Sequence, residues 1–273
     1  MSTLYVVATP IGNLEDITQR ALRILREVHV VAAEDTRKTK RLFDAYGIKT
    51  RLVSYHQHSP QSKLLQLLDD LEQNDVAIVS EAGTPAISDP GNELITMAID
   101  RGIPIVCIPG PSAVITALVG SGLPTGKFLF LGFPPRKSGE RKQLLRAIKG
   151  SPNTVIIFES PHRLHSTLKD MLNVLGDRKI AIGRELTKLH EEFFRGTISE
   201  ALDYFEQVKG EFTLVVEGNP SPPVPDTMID VGKELGRLYS QGASARDAIA
   251  EVAALSGVSK GTLYQTWLRV SGK

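Results

Sequence analysis

LYVVATPIGNLEDITQRALRILREVHVVAAEDTR, residues 4–37, reads as strand, turn, helix and strand in one pass. LYVVAT and HVVAAE are short β-rich runs, and between them ITQRALRILREV sets Ile17, Ala21, Ile24, Leu25 and Val28 at helical spacing on one face. A strand, a crossover helix and a second strand form the unit of a parallel sheet. The same alternation continues along the chain. LVSY, VAIVS and IPIVCIP are further strand candidates, while SKLLQLLDDLEQ and NELITMAIDRG repeat the amphipathic helix. Five strands with four crossovers predict a parallel α/β domain over residues 1–118. Asp16 is the expected cap of the first helix, and Asp89 with Pro90 the expected N-cap and N1 pair of the fourth.

VGSGLPTG (119–126) breaks this pattern with three glycines and a proline and marks a domain boundary. Over 127–218 a second series follows: FLFLGF, TVIIFES, KIAIGREL, EEFFRGTI and EFTLVVEG as strands, and RKQLLRAIKG, HRLHSTLKDMLNVLG and EALDYFEQV as helices. The two strand-like runs around residues 180–198 leave no room for a crossover helix, so this second sheet must contain antiparallel pairing. NPSPPVPD (219–226) reads as a stiff, extended linker. Beyond it, 226–273 forms a helical extension. ARDAIAEVAALSGVSKGTLYQTWLRV has the outline of a helix, a Gly-Val-Ser turn and a second helix, which is either a helix-turn-helix or a helical hairpin covering a surface.

The 273 residues, 41% of them hydrophobic, suffice for one large or two ordinary globular domains. The single cysteine, Cys107, sits in the apolar run IPIVCIP and is expected as a buried core thiol; one cysteine permits neither an intrachain disulfide nor a CxxC metal site, which fits a reducing compartment. No apolar run approaches the ~20 residues of a membrane helix, and the run after Met1 is too short for a signal peptide, so a cytoplasmic location without membrane contact is expected. Net charge is only +1, but residues 37–51 hold six basic side chains against Asp44, and residues 136–149 hold six against Glu140. These stretches either present a basic face to a phosphate backbone or are solvated helix faces.

Three Gly/Pro-rich turns follow apolar runs and lead into helices: ATPIGNLEDIT (8–18), SEAGTPAISDPG (80–91) and IPGPSAVITAL (108–118). Loops leaving the strand C-termini of an open parallel sheet line its ligand crevice, and Gly and Pro allow close backbone approach without floppiness. The chain has no GxxxxGK[ST] loop and no GxGxxG after the first strand, which removes support for ATP hydrolysis and NAD chemistry. It has no HExxH or Cys/His cluster, so no metal is expected. Ser160 and His162 follow a strand candidate, but no GxSxG surrounds them.

In chain order, TPIGNLEDITQRAL, AAEDTR, SEAGTPAISDPG, PGPSA, LGFPPRK, ESPHRL and GRELTK closely resemble the tetrapyrrole methylase superfamily, the class III S-adenosylmethionine-dependent methyltransferases, from about Leu4 to Gly218. The resemblance implies an α/β fold of two domains, a five-stranded parallel sheet and a mixed second sheet, with S-adenosylmethionine held between them as methyl donor and no metal. It also implies a homodimer. AAEDTR, FESPHR and GRELTK resemble the branch that methylates a cytidine ribose 2′-hydroxyl of 16S ribosomal RNA near the decoding site of the small ribosomal subunit. A methylase of a tetrapyrrole or another non-RNA substrate is the alternative within the superfamily, and a non-enzymatic nucleic-acid binder using the helical extension is the alternative outside it.

Carried over by motif, the donor contacts implied are Pro10 and Ile11; Thr84, Pro85 and Ile87; Ser112 and Ala113; and Phe158, Leu186 and Thr213. Tight-turn scaffolding is the structural alternative for each. Glu81 stands where the family usually has aspartate, which suits a loop brace better than a finely placed base. Ribose methylation is an in-line displacement governed by alignment and helped by a base. Asp35, at a strand end, is the candidate proton acceptor or else a helix N-cap, and Arg37 and Lys188 are candidates to hold a phosphate or steady an alkoxide. Glu34, Glu159, Arg184 and Glu185 are the other charged residues of these loops.

Overall fold

The structure is a computed structural model that describes residues 2–205, 209–220, 230–256 and 258–271. The chain divides into two compact units, Met1–Pro220 and Ser221–Lys273. The first unit begins with β1 (Leu4–Val7), α1 (Gln19–Glu27), β2 (Val30–Ala33), α2 (Thr36–Tyr46), β3 (Arg51–Ser54), α3 (Gln61–Gln73), β4 (Val76–Val79), α4 (Asn92–Asp100) and β5 (Ile105–Ile108). The five strands form one parallel sheet in the order β3-β2-β4-β1-β5, with Leu4 opposite both Val76 and Ile105. Period-two alternation divides each strand between the two faces. Leu4, Val6, Val30, Ala32 and Ile78 pack under Leu64, Leu67, Leu68 and Leu71 of α3 and Leu94 of α4, while Val7, Val31, Ala33, Ala77 and Val79 pack under Ala21, Ile24 and Leu25 of α1 and Leu42 and Phe43 of α2.

Three local expectations are corrected. Asp16 does not cap α1: it ends a one-turn 3-10 helix (Leu14–Asp16), Ile17 is extended and buried, and the cap is Thr18, whose hydroxyl accepts from the Ala21 N–H at 3.1 Å. Asp89 and Pro90 do not start α4. Gly91, at φ 131°, turns the chain and serves as N-cap, so the helix begins at Asn92. Cys107 is exposed rather than buried, because among the described residues β5 is the edge strand of its sheet.

After β5 comes α5 (Ala113–Ser121), a helix apolar on most of its surface, followed by β6 (Phe128–Phe130), α6 (Ser138–Ile148), β7 (Thr154–Glu159), α7 (Pro161–Leu175), β8 (Lys179–Arg184), β9 (Glu192–Thr197), α8 (Ile198–Tyr204) and β10 (Phe212–Val216). These strands form the second sheet in the order β6-β7-β10-β8-β9, with β6 and β7 parallel and the remaining pairs antiparallel. One face is covered by α6, α7 and α8 through Leu145, Leu164, Leu168, Met171, Ile198 and Ala201. The other face meets α5. Val114, Ala117 and Leu118 pack on Ile156, Ala181 and Val215, with Ile11 and Leu186 joining the same cluster. Gly120 permits this approach: a Cβ there would lie 2.4 Å from Cζ of Phe193. The guanidinium of Arg195 lies 4.9 Å from the Phe193 ring centroid and donates from Nε to the Gly120 carbonyl at 3.0 Å.

One member of the second basic stretch belongs to the scaffold. Arg141 is buried, with Nε 2.8 Å and Nη2 2.5 Å from Oδ2 of Asp170, and Nη1 donates to the Pro135 and Arg136 carbonyls. Burial alone would raise the Asp170 carboxyl, but Arg141, Ser138 and Lys142 outweigh it and hold the group below its ordinary range. Arg136, Lys137, Arg146 and Lys149 remain exposed.

The second unit contains α9 (Val231–Ser240), α10 (Ala245–Ser256) and α11 (Lys260–Ser271) around Leu235, Leu238, Ile249, Val252, Leu263 and Trp267. The extension thus has one helix more than the sequence outline. Most of the expected linker (221–226), the end of the EALDYFEQV run (206–208) and Gly257 of the expected turn lie outside the described residues.

Gly120→Ala would stabilise an exposed helix by up to ~1 kcal/mol. In this position it is expected to lower stability by about 1–3 kcal/mol, because the added carbon overpacks the Phe193 ring. Urea unfolding checks this, and a raised midpoint would show that the ring moves aside freely.

Candidate functional site

The turn after β4 is pinned to the turn after β1 by a two-residue bridge, in which the Thr9 N–H donates to the Gly83 carbonyl at 2.9 Å and the Gly83 N–H returns to Thr9 at 3.0 Å. Gly83 adopts φ 85°, which a side chain would resist, and Ser80 Oγ donates to its carbonyl at 3.2 Å. Farther along the same loop Ala86 and Ser88 also take left-handed φ, 67° and 64°. Such residues cost roughly 1–3 kcal/mol each and persist only where the surroundings over-determine them. Across from this loop, Gly12 lies so close to the turn after β8 that a Cβ would meet Lys188 Cγ at 2.4 Å, and the Asn13 N–H donates to Thr187 Oγ1 at 3.0 Å.

These turns enclose a cavity of about 380 Å³ at the C-terminal ends of β1, β4 and β5. Its walls include Ile11 from the first turn; Gly83, Thr84 and Ile87 from the second; Ser112 and Ala113 at the head of α5; and Phe133, Phe158, Leu186 and Thr213 from the second half of the unit. Eight of the ten residues expected from the motifs are thereby brought together. Pro10 and Pro85 are outside the lining; Pro10 directly follows Thr9 of the bridge, and Pro85 lies two residues after Gly83.

The three candidate catalytic residues lie outside this lining. Asp35 N-caps α2, accepting from the Arg37 N–H at 2.8 Å, and its second oxygen pairs with the Arg37 guanidinium at 3.1 Å. That side-chain bond, with the backbone bond, holds the Asp35 carboxyl down at about 2, while most of the Arg37 side chain is in solvent. Lys188 bridges Glu185 at 2.9 Å and Glu211 at 3.0 Å, and Glu211 is on the cavity wall.

The cavity is acidic. Glu34, Glu81, Asp89, Glu159 and Glu211 line it. Glu81 pairs with Lys38, and buried Glu159 is held by the Ser160 N–H, the Thr167 hydroxyl at 2.6 Å and Arg163 at 3.3 Å. Among the described residues Glu34 and Asp89 have no ion pair. Burial, reinforced by Glu34 and partly offset by the Ser80 hydroxyl, lifts the Asp89 carboxyl to about 6. Burial also raises Glu34, against the pull of Lys38 and His56. Sequence reasoning assigned Asp89 to a helix cap and did not single out Phe133, Ser88 or Glu211. Gly91-Asn92 after the proline was the available sign that the helix starts later and frees Asp89.

Apolar walls with hydroxyls, backbone groups and carboxylates suit a ligand that carries an aromatic ring, hydrogen-bond donors and positive charge. Among the described residues no group of His, Cys, Asp and Glu is arranged to hold a metal ion, and no helix is long and apolar enough to cross a membrane.

The family model for tetrapyrrole (corrin/porphyrin) methylases matches residues 3–202. Among curated proteins, the ribosomal RNA small subunit methyltransferase I of Halalkalibacterium halodurans is 48% identical over 272 residues, covering 97% of this chain and 94% of that protein. The protein of the same name from Bacillus subtilis is 43% identical, covering 98% and 94%. The Thermotoga maritima protein of that name is 48% identical over 221 residues, covering 80% of this chain and 99% of its own length. Among solved structures, cobalt precorrin-4 methyltransferase superposes with a TM-score of 0.60 at 18% identity, covering 79% of this chain and 94% of that one, and diphthine synthase with 0.60 at 16%, covering 80% and 90%. At those identities the structures speak to the fold.

The raised Asp89 carboxyl has a consequence for stability. Its protonated form favours the fold, a contribution present in full below the unfolded value of 3.8 and lost as pH rises through about 6. Asp89→Asn removes the buried charge. Its melting temperature is expected to match the wild type at the acid end, to rise above it between those two values, and to hold a constant advantage at higher pH. Melting curves of both proteins across that range check this, and a pH-independent difference would contradict it.

Proposed function

We propose that this chain, which belongs to the tetrapyrrole (corrin/porphyrin) methylase family, methylates small-subunit ribosomal RNA with S-adenosylmethionine, at a cytidine ribose 2′-hydroxyl near the decoding site. The observation that carries the proposal is the convergence of Ile11, Thr84, Ile87, Ser112, Ala113, Phe158, Leu186 and Thr213 on one cavity. Its volume falls in the ~300–1,000 Å³ range of small-molecule sites. Ile87, Phe158 and Leu186 offer apolar walls to an adenine, while Thr84, Ser112, Thr213 and the backbone of the two turns offer partners for ribose and amino-acid ends. Glu34, Glu81, Asp89 and Glu211 favour the positive charge of a sulfonium. When bound, the donor supplies a methyl group on a sulfur that loses its charge on transfer.

In this proposal the chain contributes alignment, exclusion of water and charge, with the halves 1–118 and 127–218 supplying opposite walls. Asp35 caps α2 and aims Arg37, whose exposed guanidinium with the rest of the α2 stretch meets RNA phosphates. Lys188 holds Glu211 in place at the cavity. The enzyme works as a cytoplasmic homodimer, and the donor site is built from residues of the first unit.

S-adenosylhomocysteine is expected to bind the purified protein in the presence of chelator, measured by calorimetry, and labelled methyl is expected to pass from S-adenosylmethionine to small subunits lacking the modification, at a nucleotide identified by mapping. No heat from a folded protein would refute the proposal. Gly83→Val should abolish binding while a melting curve shows a folded chain, since the side chain enters a left-handed turn 3.4 Å from Ile11.

The RNA surface is tested separately. Replacing exposed Arg136, Lys137, Arg146 and Lys149 by alanine should weaken RNA binding and flatten its salt dependence by roughly 0.7–0.9 in log–log slope per lost phosphate contact. Donor affinity should not change, and an unaltered slope would place the RNA elsewhere.

A further inference from the structure

An exposed aromatic ring stands at the rim of the donor cavity. Phe133, in the loop between β6 and α6, is 56% exposed, whereas Phe158, Leu186 and Thr213, which line the cavity from the same half of the unit, are buried or half-buried. Phe128 and Tyr204 are also exposed in the larger unit, and neither is on the lining. We propose that Phe133 is the platform on which a base of the RNA stacks, and that Arg136, three residues on, meets a phosphate of the same strand. This rests on the methyltransferase reading above and adds to it the residue that seats the acceptor strand against the donor.

The loop that carries the ring is fixed on every side. Gly132 adopts φ 62°, its carbonyl accepts from the Phe158 N–H at 3.0 Å, and a Cβ there would lie 3.0 Å from Oγ of Ser88, so the loop abuts the one after β4. The rings of Pro134 and Pro135 set their own φ. Beyond Phe133 three successive carbonyls are gripped by arginines: Arg163 Nη2 donates to Pro134 at 2.5 Å and to Pro135 at 3.3 Å, and Arg141 Nη1 donates to Pro135 at 3.3 Å and to Arg136 at 3.2 Å. Arg163 is itself held by Glu159 of the cavity wall at 3.3 Å, and Arg141 by Asp170. The Phe158 ring backs Phe133 with centroids 5.6 Å apart at 57°. A ring kept in water on so rigid a turn gains apolar burial when it is covered and loses little ordering entropy.

Charge selects the occupant. A nucleobase offers a π face to the ring, its strand brings a phosphate alongside, and bases splayed out of RNA stack on aromatic side chains. Arg136 is exposed and, among the described residues, makes no ion pair, so its guanidinium is open to a phosphate, while Lys137 beside it pairs with Glu140 at 3.2 Å. The carboxylates of the donor cavity repel phosphate, which keeps the backbone outside with Arg136 while the nucleoside approaches over the rim. A neighbouring cavity of about 640 Å³, opened by the loops after β2, β3 and β4, shares Glu34, Ser88 and Asp89 with the donor cavity. It has no such platform: its phenol ring, Tyr55, is buried, and no arginine or lysine is in its lining.

The test compares Phe133→Ala, Phe133→Leu and Phe133→Tyr. Each should melt near wild type and bind S-adenosylhomocysteine within about threefold of it by calorimetry, as expected when a rim contact is trimmed. In single-turnover methylation of unmodified small subunits, the subunit concentration giving half the maximal rate should rise roughly 5- to 150-fold in Phe133→Ala, the loss of one base–aromatic stack. Phe133→Leu, which keeps apolar bulk without a π face, should lose nearly as much, and Phe133→Tyr should return to within about threefold of wild type. Arg136→Ala should raise the same concentration and lower its log–log salt slope by about 0.7. Wild-type half-saturation in Phe133→Ala, or equal values for the leucine and tyrosine variants, would overturn the platform. A fall in S-adenosylhomocysteine affinity matching the fall in methylation would overturn it as well, by making Phe133 a wall of the donor site. An unchanged slope in Arg136→Ala would overturn the phosphate contact. A wild-type chain that binds no S-adenosylhomocysteine or methylates no subunit would instead refute the methyltransferase reading, and this inference with it.

Discussion

The contact of α5 with the second sheet governs the shape of the larger unit. The helix leaves the edge strand of the first sheet, yet it buries Val114, Ala117 and Leu118 against Ile156, Ala181 and Val215 of the second. Burying a valine or leucine side chain contributes on the order of 1.5–3 kcal/mol, so the contact is strong enough to fix how the two sheets face one another. With Ile11 and Leu186 in the same cluster, the loops that leave β1 and β8 are drawn to one side of that core, and the cavity opens where they meet the head of α5. A ligand site arises there because the helix connects one sheet and packs on the other.

The loop from Ser80 to Gly91 shows the conformational cost of building the cavity wall. It contains two left-handed non-glycine residues and two glycines at positive φ, conformations that cost free energy unless their surroundings fix them. The Thr9–Gly83 bridge and the Ser80 hydroxyl bonds over-determine its first half, and the contact of Gly91 with Ile78 fixes its second. The result is a segment that faces one cavity with Thr84 and Ile87 and stands between two cavities at Ser88 and Asp89.

Charge is sorted by depth. Carboxylates from both halves of the unit line the cavities, whereas the exposed basic residues of α2 and α6 are on the outside. A net charge near zero conceals this separation. The inner carboxylates that have partners are held by Lys38, Arg163 and Lys188, while burial raises both Glu34 and Asp89, and the charge of Glu34 raises Asp89 further.

Much of this molecule was legible in its sequence. The helical spacing of Ile17, Ala21, Ile24, Leu25 and Val28 and the short β-rich runs identified the elements of both sheets and the parallel character of the first, though not its strand order, because periodicity is local and burial enforces it. The motif loops named eight of the residues that line the first cavity, but not Phe133, Ser88, Asp89 or Glu211. Tertiary structure decided what depends on neighbours distant in the chain. Cys107 is exposed because its strand is at the edge, Arg141 is an internal brace because Asp170 comes from another helix, and Asp35 is tied to Arg37 at the mouth of α2. Asp89 reads locally as a cap. Its burial beside Glu34, 55 positions earlier in the chain, follows from the order of the strands, and no local pattern encodes the electrostatic field that two such carboxylates create when packing brings them together.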